Sequence, residues 1–291
     1  MTSSEFTSNR DNFCYRHPDR QSFALCQRCM RTICPECQTQ AAVGVICPEC
    51  MKAERQNRTP AQKKAARRWR GGGSAAIVRS GRPVVTYVLL AVTSFIGLLQ
   101  MIPGAGAVIT NALLFNSFFL DPRLFEPWRL LTAVFVHGGF IHLALNMLGL
   151  WMLGQTLEPM LGRARYLALY LISGLGGSVG VALIAPGTST VGASGAIFGL
   201  MAALLIIGRH IGANVTGILV ILGINLVYGF FVSGIAWQAH VGGLAIGALV
   251  AFLYTRTRRR EQRTIQIVWL SVITILLIVA ALVAGPLVLN A

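Results

Sequence analysis

The chain has 291 residues, of which 54% are hydrophobic and only 12% are charged. Long uncharged runs within this composition predict a polytopic membrane protein and exclude an ordinary soluble domain. The formal net charge of +15 is concentrated beside the apolar runs. There it indicates attraction to anionic lipid and argues against the nucleic-acid partner that so basic a chain first suggests.

Paired metal ligands come first in the chain. All seven cysteines lie between residues 14 and 50, and with His17 they form four pairs in which two residues separate the ligands. The pairs are Cys14 with His17, Cys26 with Cys29, Cys34 with Cys37, and Cys47 with Cys50. These eight ligands predict two tetrahedral zinc ions, whose binding supplies much of the folding free energy of so short a segment. The spacing alone leaves sequential and interleaved pairing open.

A disulfide framework is the alternative for these cysteines. The N-terminal residues are polar and carry no signal peptide, so we expect this segment in the cytosol, where thiols stay reduced. An odd number of cysteines also prevents complete disulfide pairing. Metal binding is therefore favoured.

Residues 52–82 predict a flexible, basic linker that lies against the membrane surface. They carry a dense run of Lys and Arg without apolar periodicity. The run includes Lys63, Lys64, Arg67 and Arg68, and three glycines follow at 71–73.

Seven apolar segments follow the linker. They cover residues 84–102, 138–157, 165–185, 194–208, 213–231, 236–255 and 266–289. Each approaches the ~20 residues that cross a bilayer, except the short fourth segment. Lys and Arg residues in the connections predict that the N-terminus and residues 256–263 lie inside and the C-terminus outside. The apolar connection at 103–137 is expected to lie in the membrane interface.

Ionisable and amide side chains occur inside this apolar region. The second segment begins with His137, His142 and Asn146, and the sixth begins with His240. Because His142 and Asn146 are four residues apart, they share one helix face. Ionisable residues at membrane depth are expensive, and their presence indicates a functional site.

A serine flanked by glycines begins the fourth segment, in the sequence VGASGAIFG at 191–199. In one interpretation Gly195 and Gly199 are small residues that let two membrane helices approach closely. In the other, Ser194 is a nucleophile, and its neighbouring glycines expose backbone N–H groups to a developing oxyanion.

The sixth segment carries a matching pair of small residues, Gly243 and Gly247, close to His240. His240 and Ser194 both lie at the outer ends of their segments. Packing of the two glycine pairs against each other can therefore bring His240 and Ser194 within hydrogen-bond reach.

Together these residues resemble the rhomboid family of intramembrane serine proteases over residues 83–255. The resemblance rests on the motifs Trp128-Arg129, the set His137, His142 and Asn146, Gly192-x-Ser194-Gly195, and Ala239-His240-x-x-Gly243-x-x-x-Gly247. It implies a six-helix bundle, to which this chain adds a seventh C-terminal span.

The resemblance also implies roles for individual residues. Ser194 attacks the scissile carbonyl and His240 is the general base, as a dyad without a carboxylate. His142 and Asn146, with the Ser194 backbone N–H, stabilise the oxyanion.

Three further residues are implied to be structural, namely His137, Arg129 and Glu158. Phe198 departs from the family pattern, because many relatives carry a Tyr at this position against the imidazole of the base. A phenyl face can still pack on that ring, but it lacks the hydroxyl.

The cysteine-rich stretch resembles a B-box-type zinc finger, a protein-interaction module. This resemblance implies an interleaved pairing and a protein partner for the module. One ion then takes Cys14, His17, Cys34 and Cys37, and the other takes Cys26, Cys29, Cys47 and Cys50.

The expected fold class is an all-α polytopic membrane protein with a small zinc-bound N-terminal domain. The expected domains are 1–51 (zinc-binding), 52–82 (linker), 83–255 (rhomboid protease, six spans) and 256–291 (basic loop and seventh span). The expected function is cleavage of transmembrane segments of single-span or polytopic substrates near the outer face of the cell membrane. Zinc is expected to be structural, and no cofactor is expected for catalysis.

Two other functions compete with proteolysis. A catalytically silent rhomboid-like protein could bind membrane clients and use the zinc finger as an adaptor, but such proteins lack the Ser or the His, and Ser194 and His240 are both present. A transporter with a histidine proton relay is disfavoured, since no acidic residue lies inside the predicted segments.

Overall fold

The computed structural model describes residues 10–40, 44–57, 82–232 and 234–289. The chain divides between residues 78 and 79 into two compact units. The basic and glycine residues of the predicted linker at 63–73 lie outside the described residues.

The N-terminal unit consists of two short hairpins and one helix. Strand β1 (Phe13–Cys14) pairs with β2 (His17–Gln21), and β3 (Thr39–Gln40) pairs with β4 (Val45–Ile46), both antiparallel. Helix α1 (Pro48–Gln56) follows. The buried cluster holds mostly cysteine side chains, namely Cys14, Cys26, Ile33, Cys34, Cys37, Ile46 and Cys47. So small an aliphatic core leaves the unit dependent on its ligand sets.

Helix α1 begins immediately after the predicted ligand Cys47 and contains the ligand Cys50 in its first turn. The sulfur of Cys47 accepts a hydrogen bond from the Cys50 N–H at 3.4 Å, and Pro48 occupies the first helical position, which it favours. The helix continues to Gln56 and crosses the domain boundary expected after residue 51. Good helix formers at 51–54 extend it, although this stretch lacks the apolar periodicity that would have predicted a helix.

The second unit is helical throughout its described part. In chain order its helices are α2 (Val84–Leu99), α3 (Ala105–Leu113), α4 (Arg129–Thr132), α5 (Phe140–Leu161), α6 (Arg163–Ile184), α7 (Ser194–His210), α8 (Thr216–Phe231), α9 (Trp237–Arg256) and α10 (Arg263–Leu289). Each predicted apolar segment lies largely within one helix. By length and apolar composition, α5, α6, α9 and the part Arg263–Val283 of α10 can cross a membrane.

Three of the apolar helices are shorter than a full span. Helices α2, α7 and α8 have 16, 17 and 16 residues. The short fourth segment is confirmed, but the expectation that the first and fifth approach full length was wrong. Pro103 prevents α2 from continuing. Gly212, with φ of +77°, and the Asn214 side chain, which accepts the Thr216 N–H at 3.0 Å, delay the start of α8.

Helix α5 is longer than its predicted segment and contains Glu158 near its end. The absence of acidic residues inside the apolar segments, used against a transporter, therefore does not hold for the helices themselves. The carboxylate is buried and accepts hydrogen bonds from Val85 N–H at 2.9 Å, Thr86 N–H at 2.8 Å and Thr86 Oγ1 at 2.7 Å. It thus caps the start of α2, where the helix dipole favours negative charge.

Helices α7 and α9 meet through glycines. A Cβ on Gly247 would lie 2.3 Å from Gly199 Cα, and a Cβ on Gly243 would lie 2.0 Å from the Gly195 carbonyl oxygen. No side chain fits between these backbones. The predicted packing of the two glycine pairs is confirmed, and it sets the distance between the two helices.

The connection at 103–137 is structured and held by a buried arginine. Arg129 donates to the Glu126 carboxylate, to Asn111 O and to Leu114 O, and its guanidinium lies 3.8 Å from the centre of the Phe119 ring. Some apolar side chains of this connection are buried (Phe115, Leu120, Leu130) and others are about half exposed (Phe118, Leu124, Phe125, Trp128). Their contact with the membrane interface stays a prediction.

Helix α10 runs beside α6. At its start, Gln266 accepts from Arg165 Nε at 2.8 Å and donates to the Thr257 hydroxyl at 2.6 Å, while Tyr254 donates to Arg165 O at 3.0 Å. Farther along, α10 packs against the 3-10 helix Ser117–Leu120. That helix belongs to the connection on the other side of the bundle, so α10 passes the bundle from end to end.

Candidate active site

Ser194 is the first residue of α7 and follows a turn that requires glycine. Gly192 has φ of +117°, a conformation that L residues with side chains rarely adopt. A Cβ on Gly192 would also lie 2.7 Å from Cε1 and 2.8 Å from Nε2 of His142. The glycine therefore lets the chain turn sharply into α7 while the His142 imidazole packs directly against the turn.

Ser194 and His240 are brought together. The Ser194 Oγ lies 3.0 Å from His240 Nε2, and His240 is only 8% exposed in the first turn of α9. The Phe198 ring stacks on the imidazole with centroids 4.2 Å apart and planes within 9°. A Cβ on Gly229 of α8 would lie 3.2 Å from His240 Nδ1.

The imidazole of His240 is held by packing. Among the described residues its Nδ1 has no hydrogen-bond partner. A carboxylate, which orients the histidine of a catalytic triad, is not in contact with it there. The serine and histidine are therefore a two-residue arrangement.

His142 and Asn146 lie on one face of α5, as predicted. The Gly138 N–H donates to His142 Nδ1 at 3.3 Å, so the neutral imidazole carries its proton on Nε2, next to Gly192. The buried Asn146 amide donates one hydrogen to His142 O at 2.8 Å, within its own helix. The His142 ring thus lies at the Ser194 turn, while the contact found for Asn146 is local.

Two residues near the turn received no catalytic role from the sequence. His137 Nε2 accepts the Ala193 N–H at 3.4 Å, and Gln100 forms hydrogen bonds with the backbone of His137. For Gln100 the only available sign was a polar residue at the end of an apolar segment. Its contacts depend on how α2 packs, which the sequence pattern does not reveal.

The predicted metal ligands form two interleaved sets. Cys14, His17, Cys34 and Cys37 make one set, and Cys26, Cys29, Cys47 and Cys50 make the other, with the ligand atoms of each set within 4.8 Å of one another. This is the pairing that the B-box resemblance implied, and sequential pairing is excluded.

The spacing of these ligand atoms suits a tetrahedral cation. Zn–S bonds of ~2.3 Å give a tetrahedron with edges of ~3.8 Å. Cys29 Sγ and Cys47 Sγ are 3.7 Å apart, and His17 Nδ1 lies 3.3, 3.4 and 3.9 Å from the sulfurs of Cys34, Cys37 and Cys14. Nδ1 is therefore the histidine atom that faces the thiols.

Protonation of the thiols differs within one set. Burial raises the pKa of Cys26, but hydrogen bonds from the N–H groups of Cys47, Cys29 and Arg28 outweigh it and lower the pKa to about 6. The hydrogen bond with Cys47, followed by burial, raises the pKa of Cys50 to about 12. Cys26 is thus available to a cation as a thiolate, whereas binding through Cys50 would release its proton.

Fold and site together define a helical integral membrane protein with a serine and a histidine in hydrogen-bond contact. A family model of the Rhomboid domain matches residues 124–257. The putative rhomboid protease YdcA of Bacillus subtilis (strain 168) is 33% identical over 185 residues, which cover 62% of this chain and 92% of that protein. The chain belongs to the rhomboid family.

Two other relatives are longer than the chain. The rhomboid protease GluP of Bacillus subtilis (strain 168) is 39% identical over 189 residues, 61% of this chain and 36% of GluP. RHOMBOID-like protein 4 of Arabidopsis thaliana is 41% identical over 135 residues, 44% of this chain and 34% of that protein. The chain thus spans about a third of each of these two proteins.

Proposed function

We propose that the chain is an intramembrane serine endopeptidase that cleaves membrane-spanning segments of other proteins. The observation that carries this proposal is the 3.0 Å contact between Ser194 Oγ and His240 Nε2. A serine hydroxyl is a weak nucleophile until a base takes its proton, and this geometry supplies that base. The names of GluP and YdcA as rhomboid proteases support the same activity.

In the proposed reaction, Ser194 Oγ attacks the carbonyl carbon of the scissile bond while His240 Nε2 takes the hydroxyl proton. The tetrahedral intermediate collapses when the imidazolium returns that proton to the leaving amine. A water molecule then attacks the acyl ester, again losing a proton to His240, and Ser194 is regenerated. The Phe198 ring face supports the imidazolium, because the quadrupole of an aromatic ring attracts a cation.

The start of α7 supplies the proposed oxyanion site. The first N–H groups of a helix have no partner within it, and the helix dipole favours negative charge there. Ser194 is the first helical residue, and the Nε2–H of His142 lies against the preceding turn. We assign the oxyanion to the Ser194 N–H and His142, with Asn146 as a third donor through the amide hydrogen that does not bond to the α5 backbone.

Substrates are proposed to be single-span or polytopic membrane proteins. A carbonyl inside an intact transmembrane helix is hydrogen-bonded and cannot reach Ser194, so the substrate helix must unwind locally. Helix-breaking residues near the scissile bond should therefore favour cleavage.

The proposed orientation has the N-terminus inside, the C-terminus outside and seven crossings in the cell membrane. The basic residues beside the helices gather at one end of the bundle, where α6 and α10 begin and α7 and α9 end. The positive-inside bias assigns that end to the cytoplasm. Helix α10 starts there and passes the bundle, which supports a seventh crossing. A reporter fused after Ala291 tests this, since a cytoplasmic signal would contradict it.

The N-terminal unit is proposed to be a B-box-type module that holds two structural zinc ions and binds a protein partner. The interleaved sets and their tetrahedral spacing support zinc at both positions. Zinc there would replace the apolar core that the unit lacks.

The alternative is a catalytically silent rhomboid protein that binds membrane clients, with the N-terminal unit as an adaptor. It does not explain why Ser194 and His240 lie in hydrogen-bond contact. The test is cleavage of a single-span substrate by the purified full chain in liposomes. The parent should release a defined fragment and Ser194→Ala should release none. Equal cleavage by both, or none by the parent, would reject the protease.

A further inference from the structure

Gln100 connects the end of α2 to the backbone of His137. Its Oε1 accepts the His137 N–H at 3.0 Å, and its Nε2 donates to His137 O at 3.2 Å. The second Nε2 hydrogen goes to Thr110 Oγ1 at 2.7 Å, and that hydroxyl donates to Gly106 O at 2.8 Å. One amide therefore fixes residue 137 to α2 and α3 through both polar groups of its backbone.

The His137 ring extends this connection to the nucleophile. Ala193, directly before Ser194, donates its N–H to His137 Nε2 at 3.4 Å. Only an unprotonated nitrogen can accept this bond, so neutral His137 carries its proton on Nδ1. The ring also packs edge-on against His142, with centroids 5.1 Å apart. A displacement of the His137 ring would therefore change the position of both the Ser194 turn and His142, the proposed oxyanion donor.

The His137 side chain is buried beside a small cavity. His137 is only 5% exposed, and within the described residues no hydrogen-bond partner of Nδ1 is found. His137, Gln100, Thr110, Gly97, Gly139 and Leu143 line a cavity of about 90 Å³. The Nδ1 atom is itself buried, so the ring is held by the protein atoms around it and by its contact with the Ala193 N–H.

We propose that Gln100 is a positioning residue for the reaction, acting through His137 to hold the turn that presents Ser194. The inference rests on the proposed protease function. Gln100 touches neither Ser194 nor His240 in the contacts described above, so its effect reaches the nucleophile only through the His137 backbone and ring. A purely local stabilising role would affect folding without changing the tautomer of His137.

The first experiment needs no activity. The full chain, labelled with ¹⁵N-histidine and placed in lipid, is examined by NMR, and the His137 signals are assigned from their loss in His137→Gln. His137 should be a single Nδ1–H tautomer. A proton on Nε2 overturns the proposal, whatever the outcome for the protease.

The second experiment measures cleavage and the rate at which a fluorophosphonate labels Ser194. Gln100→Met keeps the size of the side chain but removes its hydrogen bonds. We expect kcat and the labelling rate to fall together by about 10- to 100-fold, with KM unchanged, since small misplacements of reacting groups cost rates of this order. His137→Gln, whose carbonyl can still accept the Ala193 N–H, should retain more activity than His137→Leu.

A double-mutant cycle separates a connected chain from independent effects. If Gln100 acts through His137, the double variant Gln100→Met with His137→Leu should be no worse than His137→Leu alone. Thr274→Val is the control, because its hydroxyl bonds only to Leu270 O of its own helix in the described contacts, far along α10. Additive losses, or parent-level kcat in Gln100→Met, overturn the proposal. If Gln100→Met does not fold, the proposal is tested by comparing His137→Gln with His137→Leu and by the tautomer of His137 in the parent.

Discussion

At Ser194 the reactive geometry depends on packing as much as on hydrogen bonds. The His240 imidazole stacks on the Phe198 ring, its Nδ1 lies close to Gly229 of α8, and its one described hydrogen bond joins it to the serine. In the proposed reaction, the Phe198 ring takes the orienting place that a carboxylate has in a triad. This gives Phe198 a measurable role.

Replacing Phe198 should separate stacking from the hydroxyl that many relatives carry. Phe198→Leu removes the stacked ring and should lower kcat/KM by about 2- to 10-fold, since aromatic pairs contribute ~0.5–1.5 kcal/mol beyond burial. Phe198→Tyr keeps the ring and should stay close to the parent. The measurement is kcat/KM on one single-span substrate. A Leu variant as active as the parent would show that stacking does not orient His240.

Removing one proposed oxyanion donor should lower kcat less than removing Ser194. His142→Ala or Asn146→Ala removes one donor, which in other serine proteases costs ~10²–10³ in kcat. Residual cleavage should remain above that of Ser194→Ala, measured as product formed over long incubations. Because the Asn146 amide bonds to its own helix here, the smaller loss is expected at Asn146. Unchanged kcat in His142→Ala would remove His142 from the oxyanion site.

At the scale of elements, the site is produced by the contact between α7 and α9. Ser194 and His240 each begin a helix, and glycines let the two backbones touch one turn further in. The separation of the helices sets the distance between serine and histidine. Helix packing and chemistry are therefore coupled.

Adding a single methyl group at this contact should reduce both stability and activity. In Gly247→Ala the new Cβ would lie 2.3 Å from Gly199 Cα, so the helices must separate. Overpacking of this kind costs about 1–3 kcal/mol. We expect a lower Tm and a fall in cleavage. Gly217→Ala in α8 is the control, because its Cβ would meet nothing within 4 Å. An equal loss in both variants would show that the close contact between α7 and α9 is not its cause.

At the scale of the whole molecule, the two units have different sources of stability. The membrane unit buries large apolar side chains, whereas the N-terminal unit buries mainly cysteines. Loss of metal should therefore affect only the latter. This difference makes the proposed zinc sites testable without disturbing the active site.

Metal analysis of the purified full chain should find two zinc ions. Cys34→Ser removes one ligand of the first set and should release at least one ion and unfold the N-terminal unit. Cleavage of a membrane substrate should persist, because Ser194 and His240 lie in the other unit. A single ion in the parent would contradict two structural sites. Loss of cleavage on zinc removal would show that the units are coupled.

Much of the architecture could be predicted because it follows from local patterns. Apolar runs located the seven long helices α2 and α5 to α10, and the paired cysteines located the candidate metal sites. Helix ends were less predictable. Glu158 falls inside α5 and α1 continues to Gln56, because caps and neighbouring residues, not the apolar pattern, set those boundaries.

What the sequence by itself determined is which residues could react and which helices could meet. The glycines at 195, 199, 243 and 247 show that two helices can approach closely. A histidine inside the membrane is energetically costly, so its presence indicates a function. Tertiary structure alone decided the 3.0 Å contact across 46 residues of chain, the interleaved ligand sets, and the link from Gln100 through His137 to Ala193. These contacts join segments distant in sequence, and their geometry depends on how the helices and hairpins pack, which no local periodicity encodes.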